Sequence, residues 1–91
     1  MAEKNLQSKI ELYAESKNML VFKVSAESQR GLPDLLIIAN GQTALMEIKN
    51  PNGRGRLSAL QQRTIEKISE RGVPVGVFDD FDIAKAFIDD L

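Results

Sequence analysis

The chain is 91 residues long, with 43% apolar residues, 27% charged residues and a formal net charge of −1. That composition describes one ordinary globular domain with a modest core, and its near-neutral balance gives no global attraction for nucleic acid. Cysteine and histidine are both absent, which excludes disulfides, thiolate catalysis, zinc–thiolate sites and histidine general bases, so any metal site must be built from oxygen.

Residues 3 to 17 predict a helix, because Leu6, Ile10, Tyr13 and Ala14 recur at helical spacing, and Asn18 is its stop. Leu20 to Val24 predicts a strand, and the polar stretch Ser25 to Gly31 a loop. Two strands follow, 34–39 and 43–49, joined through Asn40-Gly41 as a hairpin. Asn50 to Gly55 holds a proline and two glycines and predicts a turn-rich loop. A second helix is expected from Ala59 to Glu70, with Leu57, Leu60, Ile65 and Ile68 on its apolar side and Gly72 as its end. Val73 to Phe78 predicts an edge strand broken by Pro74 and Gly76. Asp82 to Leu91 predicts a closing helix with Ile83, Ala84, Phe87, Ile88 and Leu91 on one side and Asp82 near its N-terminus. The order α-β-β-β-α-β-α predicts the α/β class: a small three-layer domain around a mixed sheet. The N-terminal residues carry no signal-peptide pattern and no apolar run approaches membrane-spanning length; the expectation is a soluble cytoplasmic protein.

The hairpin carries the chemistry. Asp34 starts its first strand and Glu47 comes near the end of its second, so antiparallel pairing brings both carboxylates to one edge. Glu47 and Lys49 are two apart, which on a strand puts them on one face. Converging carboxylates repel unless a cation lies between them, and a hard divalent ion, Mg²⁺ or Mn²⁺, suits an all-oxygen site. A lysine alongside is placed to offset charge on a phosphate. Each element also has a plainer reading: Pro33-Asp34 as a simple turn, and Glu47 and Lys49 as two solvent-facing charges around a buried Ile48.

Charge is unevenly spread. From Ile48 to Thr64 the charged residues are Lys49, Arg54, Arg56 and Arg63, with no acid among them, whereas Val77 to Leu91 carries five aspartates against Lys85. Arg54 and Arg56 sit in a Gly-rich loop suited to gripping phosphate, or simply to being solvated. Ser25, Ser28, Gln29 and Arg30 precede the acidic turn and are candidates to line the same groove. Ser58-Ala59-Leu60-Gln61 fits a capping box, with Gln61 reaching back to Ser58. Gln61 also falls on the inward side of the helix, where a buried amide needs polar partners.

Gly31-Leu32-Pro33-Asp34, then Glu47-Ile48-Lys49-Asn50-Pro51, then Gln61 and Gly72, together resemble the VRR-NUC family (virus-type replication-repair nucleases) of the PD-(D/E)xK nuclease superfamily. The resemblance covers nearly the whole chain as a single nuclease domain, residues 1–91, and implies the restriction-endonuclease-like fold. It implies Asp34 and Glu47 as ligands of Mg²⁺ or Mn²⁺, helped by the backbone carbonyl of Ile48. Lys49 becomes the catalytic lysine, and Gln61 is raised from a cap to an active-site residue. Gln7 falls where members of the family usually carry a glutamate that supports the metal, with Glu3 and Glu11 one turn to either side. Arg30, Arg54, Arg56 and Ser25 become DNA-binding candidates. Short stand-alone members resemble phage or prophage enzymes that cut branched DNA, such as Holliday junctions. A homodimer would supply two active sites, with Val75, Val77 and Phe78 or an exposed side of the first helix as its surface. The expected function is therefore a divalent-metal-dependent DNA endonuclease. The alternatives are a nuclease-fold DNA-binding module with weak or no catalysis, and an interaction domain using the acidic tail.

Overall fold

A computed structural model describes residues 3–24, 31–52 and 56–91. The elements are α1 (Glu3–Ser16), β1 (Leu20–Lys23), β2 (Leu35–Ala39), β3 (Gln42–Ile48), α2 (Ala59–Glu70), β4 (Val75–Phe78) and α3 (Phe81–Asp89). The expected order α-β-β-β-α-β-α is the observed one. The sheet runs β1-β2-β3-β4, antiparallel through the first three strands and parallel between β3 and β4. α2 is the crossover that a parallel pair requires.

Asn40 and Gly41 both take positive φ, 52° and 77°, the two-residue turn whose twist matches that of the strands it joins. Ala39 therefore pairs with Gln42, and the ladder continues through Leu35 and Met46. Its register is enforced by burial. Leu35, Ile37, Met46 and Ile48 are fully buried on one face, together with Ile10 of α1 and Ile88 of α3. Each such side chain stabilises the fold by about 1.5–3 kcal/mol. A slip of one residue would carry Met46 and Ile48 out of this core and drive Glu47 into it. Alternation therefore puts Leu45 and Glu47 on the opposite face of β3, the face on which α2 lies.

Several expectations are corrected. β4 is not broken at Gly76: a Cβ there would lie 2.5 Å from the Phe78 ring, so the glycine makes room for that ring. The last helix begins at Phe81, and its N-cap is Asp80, whose carboxylate accepts from the Ile83 amide at 3.0 Å; Asp82 falls in the first turn. Ile83 faces outward, 61% exposed, while Ala84 and Ile88 hold the core. Phe78 is buried against Phe87 and so is removed from the expected dimer surface. Among the described residues the exposed large apolar side chains are Leu20, Phe22, Ile38 and Val77 on the α2-side face of the sheet, with Leu12, Leu60 and Ile83 on the helices. On the other side α1 and α3 are tied by Asp89, which accepts from the Tyr13 hydroxyl and from Lys17.

Candidate functional site

The acidic turn is set by its neighbours. Pro33 is fully buried and Gly31 has a φ of +87°, a conformation that favours glycine. A Cβ on Gly31 would meet the Thr64 hydroxyl at 2.8 Å and Leu60 Cγ at 3.0 Å. Gly31 thus lets the strand entry press directly against α2. The Asp34 carbonyl accepts from the Val24 amide at 2.8 Å, which ties the turn to the end of β1.

Leu35 pairs with Met46, so the next position outward sets Asp34 against Glu47. Asp34 Oδ2 accepts a hydrogen bond from the Ile48 amide at 2.8 Å, fixing that carboxylate at the strand end. Glu47 is 3% exposed, the one buried charged residue among those described. Its Oε2 accepts from Gln61 Nε2 at 2.9 Å and from Lys49 Nζ at 3.1 Å. Its Oε1 is buried with no partner. Gln61 Oε1 in turn accepts from Lys49 Nζ at 3.3 Å and from the Ser58 amide at 3.1 Å. The Ser58 hydroxyl closes the capping box by accepting from the Gln61 amide at 3.1 Å. The expected capping box is present, and the same half-buried Gln61 side chain also donates to Glu47.

The electrostatics are unbalanced. Two carboxylates meet one ammonium in a partly buried setting, where charge is poorly screened. Burial first, and the Asp34 carboxylate second, push the Glu47 carboxyl up from its usual range, while Lys49 and Gln61 oppose the shift. An orphaned carboxylate oxygen, a second acid beside it and only oxygen donors at hand fit a hard divalent cation. Among the described residues no group of three or more acidic side chains could hold an ion. Such a cation would therefore rely on two carboxylates, a carbonyl and water, a donor set that Mg²⁺ accepts.

The hairpin and α2 bring Asp34, Glu47, Ile48, Lys49 and Gln61 together. Gln7 is half-buried on α1 and makes no hydrogen bond to this cluster among the described residues. Arg56 is exposed immediately before α2, while Ser25, Arg30 and Arg54 lie outside the described residues. What sequence reasoning missed is the Ile48 amide, whose signal was the hairpin register, and the packing of Gly31 on α2, which no local pattern encodes.

Comparison with known proteins gives the family. The family model for the VRR-NUC domain matches residues 3–80. A solved chain described as a VRR_NUC domain superposes with a TM-score of 0.82 at 27% identity, covering 96% of this chain and 94% of that one. No curated protein sequence matches. The chain belongs to the VRR-NUC family, and is thereby a nuclease-type DNA-processing domain. No described helix is long and apolar enough to cross a membrane.

Proposed function

We propose that this protein is a Mg²⁺- or Mn²⁺-dependent endodeoxyribonuclease that hydrolyses phosphodiester bonds in branched DNA, acting as a homodimer. The observation that carries the metal is Glu47 Oε1, a buried carboxylate oxygen without a donor beside a second acid. Asp34, Glu47 and the Ile48 carbonyl would hold the ion. When bound, it supplies positive charge at the scissile phosphate and lowers the pKa of water beside it.

The chain's own residues do the rest. Lys49 uses two of its three N–H donors on Glu47 and Gln61, leaving the third for a phosphoryl oxygen, where charge grows in the transition state. Gln61 keeps Glu47 Oε2 occupied, so that Oε1 is the oxygen left for the cation. Arg56, exposed ahead of α2, is assigned to hold the DNA backbone, and Ser25, Arg30 and Arg54 are assigned the same role. The preference for branched DNA rests on the family resemblance and on the small footprint of the domain, which a second copy would double. Leu20, Phe22 and Ile38 offer apolar surface for that copy.

The test is cleavage of end-labelled four-way junction, flap, single-stranded and duplex DNA in Mn²⁺, Mg²⁺ and EDTA. Cutting only in the divalent ions, with paired symmetric nicks in the junction, is the expected result. Junction binding without cleavage in either ion would replace the endonuclease with a binding module.

A further inference from the structure

The Gln61 amide faces donors on one side and an acceptor on the other. A glutamine amide can be turned over without changing its shape, so its orientation is set by its partners. Two of those partners, Lys49 and Glu47, are themselves site residues that substrate and cation would engage. The third is the backbone N–H of Ser58, which can only donate and stays put when they do. It lies 3.1 Å from Gln61 Oε1. Its direction is fixed by the N-cap geometry of Ser58, φ −71° and ψ 161°, which the Ser58 hydroxyl locks by accepting from the Gln61 backbone N–H at 3.1 Å.

We propose that Ser58 is a positioning residue of this site: as N-cap of α2 it holds the Gln61 amide with its NH₂ toward Glu47 and its oxygen away. Turned over, that amide would present oxygen to the carboxylate and leave both donors unanswered. Glu47 would then lose its neutral donor and move its free oxygen. Ser58 touches neither acid nor lysine, so it acts only through Gln61. The inference rests on the endonuclease reading for its effect on cleavage, but not for its effect on the amide.

Ser58→Pro is the informative variant, because a φ of −71° suits proline while both the N–H and the hydroxyl are removed. Ser58→Ala removes the hydroxyl and keeps the N–H, and Ser58→Thr keeps both. Ile88→Val, in the core of α3, serves as a variant matched by melting temperature. In metal-free ¹⁵N-labelled protein, the Gln61 side-chain amide is expected as a resolved, slowly exchanging pair. In Ser58→Pro it should exchange as fast as the exposed Gln62, in Ser58→Ala at an intermediate rate, and in Ser58→Thr as in wild type. Cleavage in Mn²⁺ should fall about 10- to 100-fold in Ser58→Pro, the usual loss when support of a metal-ligating residue goes. Ser58→Thr should cleave as wild type does, and Ile88→Val should leave both amide and rate unchanged. An unchanged Gln61 amide in Ser58→Pro overturns the proposal, as does an equal loss of rate in Ile88→Val. If the wild type cleaves nothing, the endonuclease reading fails, and amide exchange alone still decides the role of Ser58.

Discussion

Replacing Glu47 by glutamine should raise stability without metal and lower it with metal, so that the two proteins exchange order. The wild-type carboxylate is 3% exposed, has one oxygen with no partner, and faces Asp34. A buried polar atom left unsatisfied costs about 1–3 kcal/mol. In Glu47→Gln the amide oxygen keeps the donors from Gln61 and Lys49, and an NH₂ replaces the orphaned oxygen beside Asp34. In EDTA at pH 7 the variant should therefore melt above wild type. The sign follows from the raised carboxyl: the folded state holds that proton more tightly than the unfolded chain, so wild-type stability falls as pH rises from the unfolded value through the folded one. The variant's advantage should vanish in acid, below the unfolded value. With Mn²⁺ at ten times its dissociation constant, wild type gains about 1.4 kcal/mol by mass action. For a domain of this size that is about 6–11 °C in Tm. The variant should gain almost none. Scanning calorimetry of both proteins with EDTA and with Mn²⁺, at neutral and acid pH, measures all of this. A Glu47→Gln protein less stable than wild type in EDTA, or one that gains the same shift from Mn²⁺, refutes the assignment of Glu47 Oε1 to the cation.

Other perturbations probe separate parts of the account. Gly31→Ala forces a side chain into a φ of +87° and against Thr64 and Leu60; a loss of about 1–3 kcal/mol in urea unfolding is expected, and no loss would mean that the strand entry does not press on α2. Asp80→Ala removes the α3 cap and should cost about 1 kcal/mol by the same measurement, whereas Asp82→Ala should cost much less. Asp34→Asn keeps an oxygen for the Ile48 amide but removes a charge, so it should fold as wild type does and lose Mn²⁺ binding by calorimetric titration.

The hairpin is legible in the sequence because its signals agree. Asn40-Gly41 dictates the turn, apolar residues fill both strands, and Glu47 stands alone as a charge among them. Once the turn is set, the pairing of Asp34 with Glu47 follows from counting. The dual role of Gln61 is half legible: the capping box is local, but the bond to Glu47 depends on where the crossover sets α2 down, which no local pattern records. The same limit explains Phe78 and Ile83. Both belong to apolar stretches, and only the packing of α3 against the sheet decides that Phe78 is buried and Ile83 exposed. Asp80 and Asp82 are equally good caps by composition; the end of β4 at Phe78 selects Asp80. The arginine candidates rest on charge alone, and of them only Arg56 has a described position.

The most direct test of a metal-dependent phosphodiesterase centre at this hairpin edge is single-turnover cleavage by Lys49→Ala, measured beside its Mn²⁺ affinity. Lys49 donates to Glu47 and Gln61 and would touch the phosphate, while Asp34 and Glu47 remain to hold the ion. The account predicts Mn²⁺ binding that persists and cleavage that falls by about 10²–10³, the scale of losing one oriented charge donor in a transition state. Undiminished cleavage by Lys49→Ala would contradict it, and would place the chemistry elsewhere on the domain.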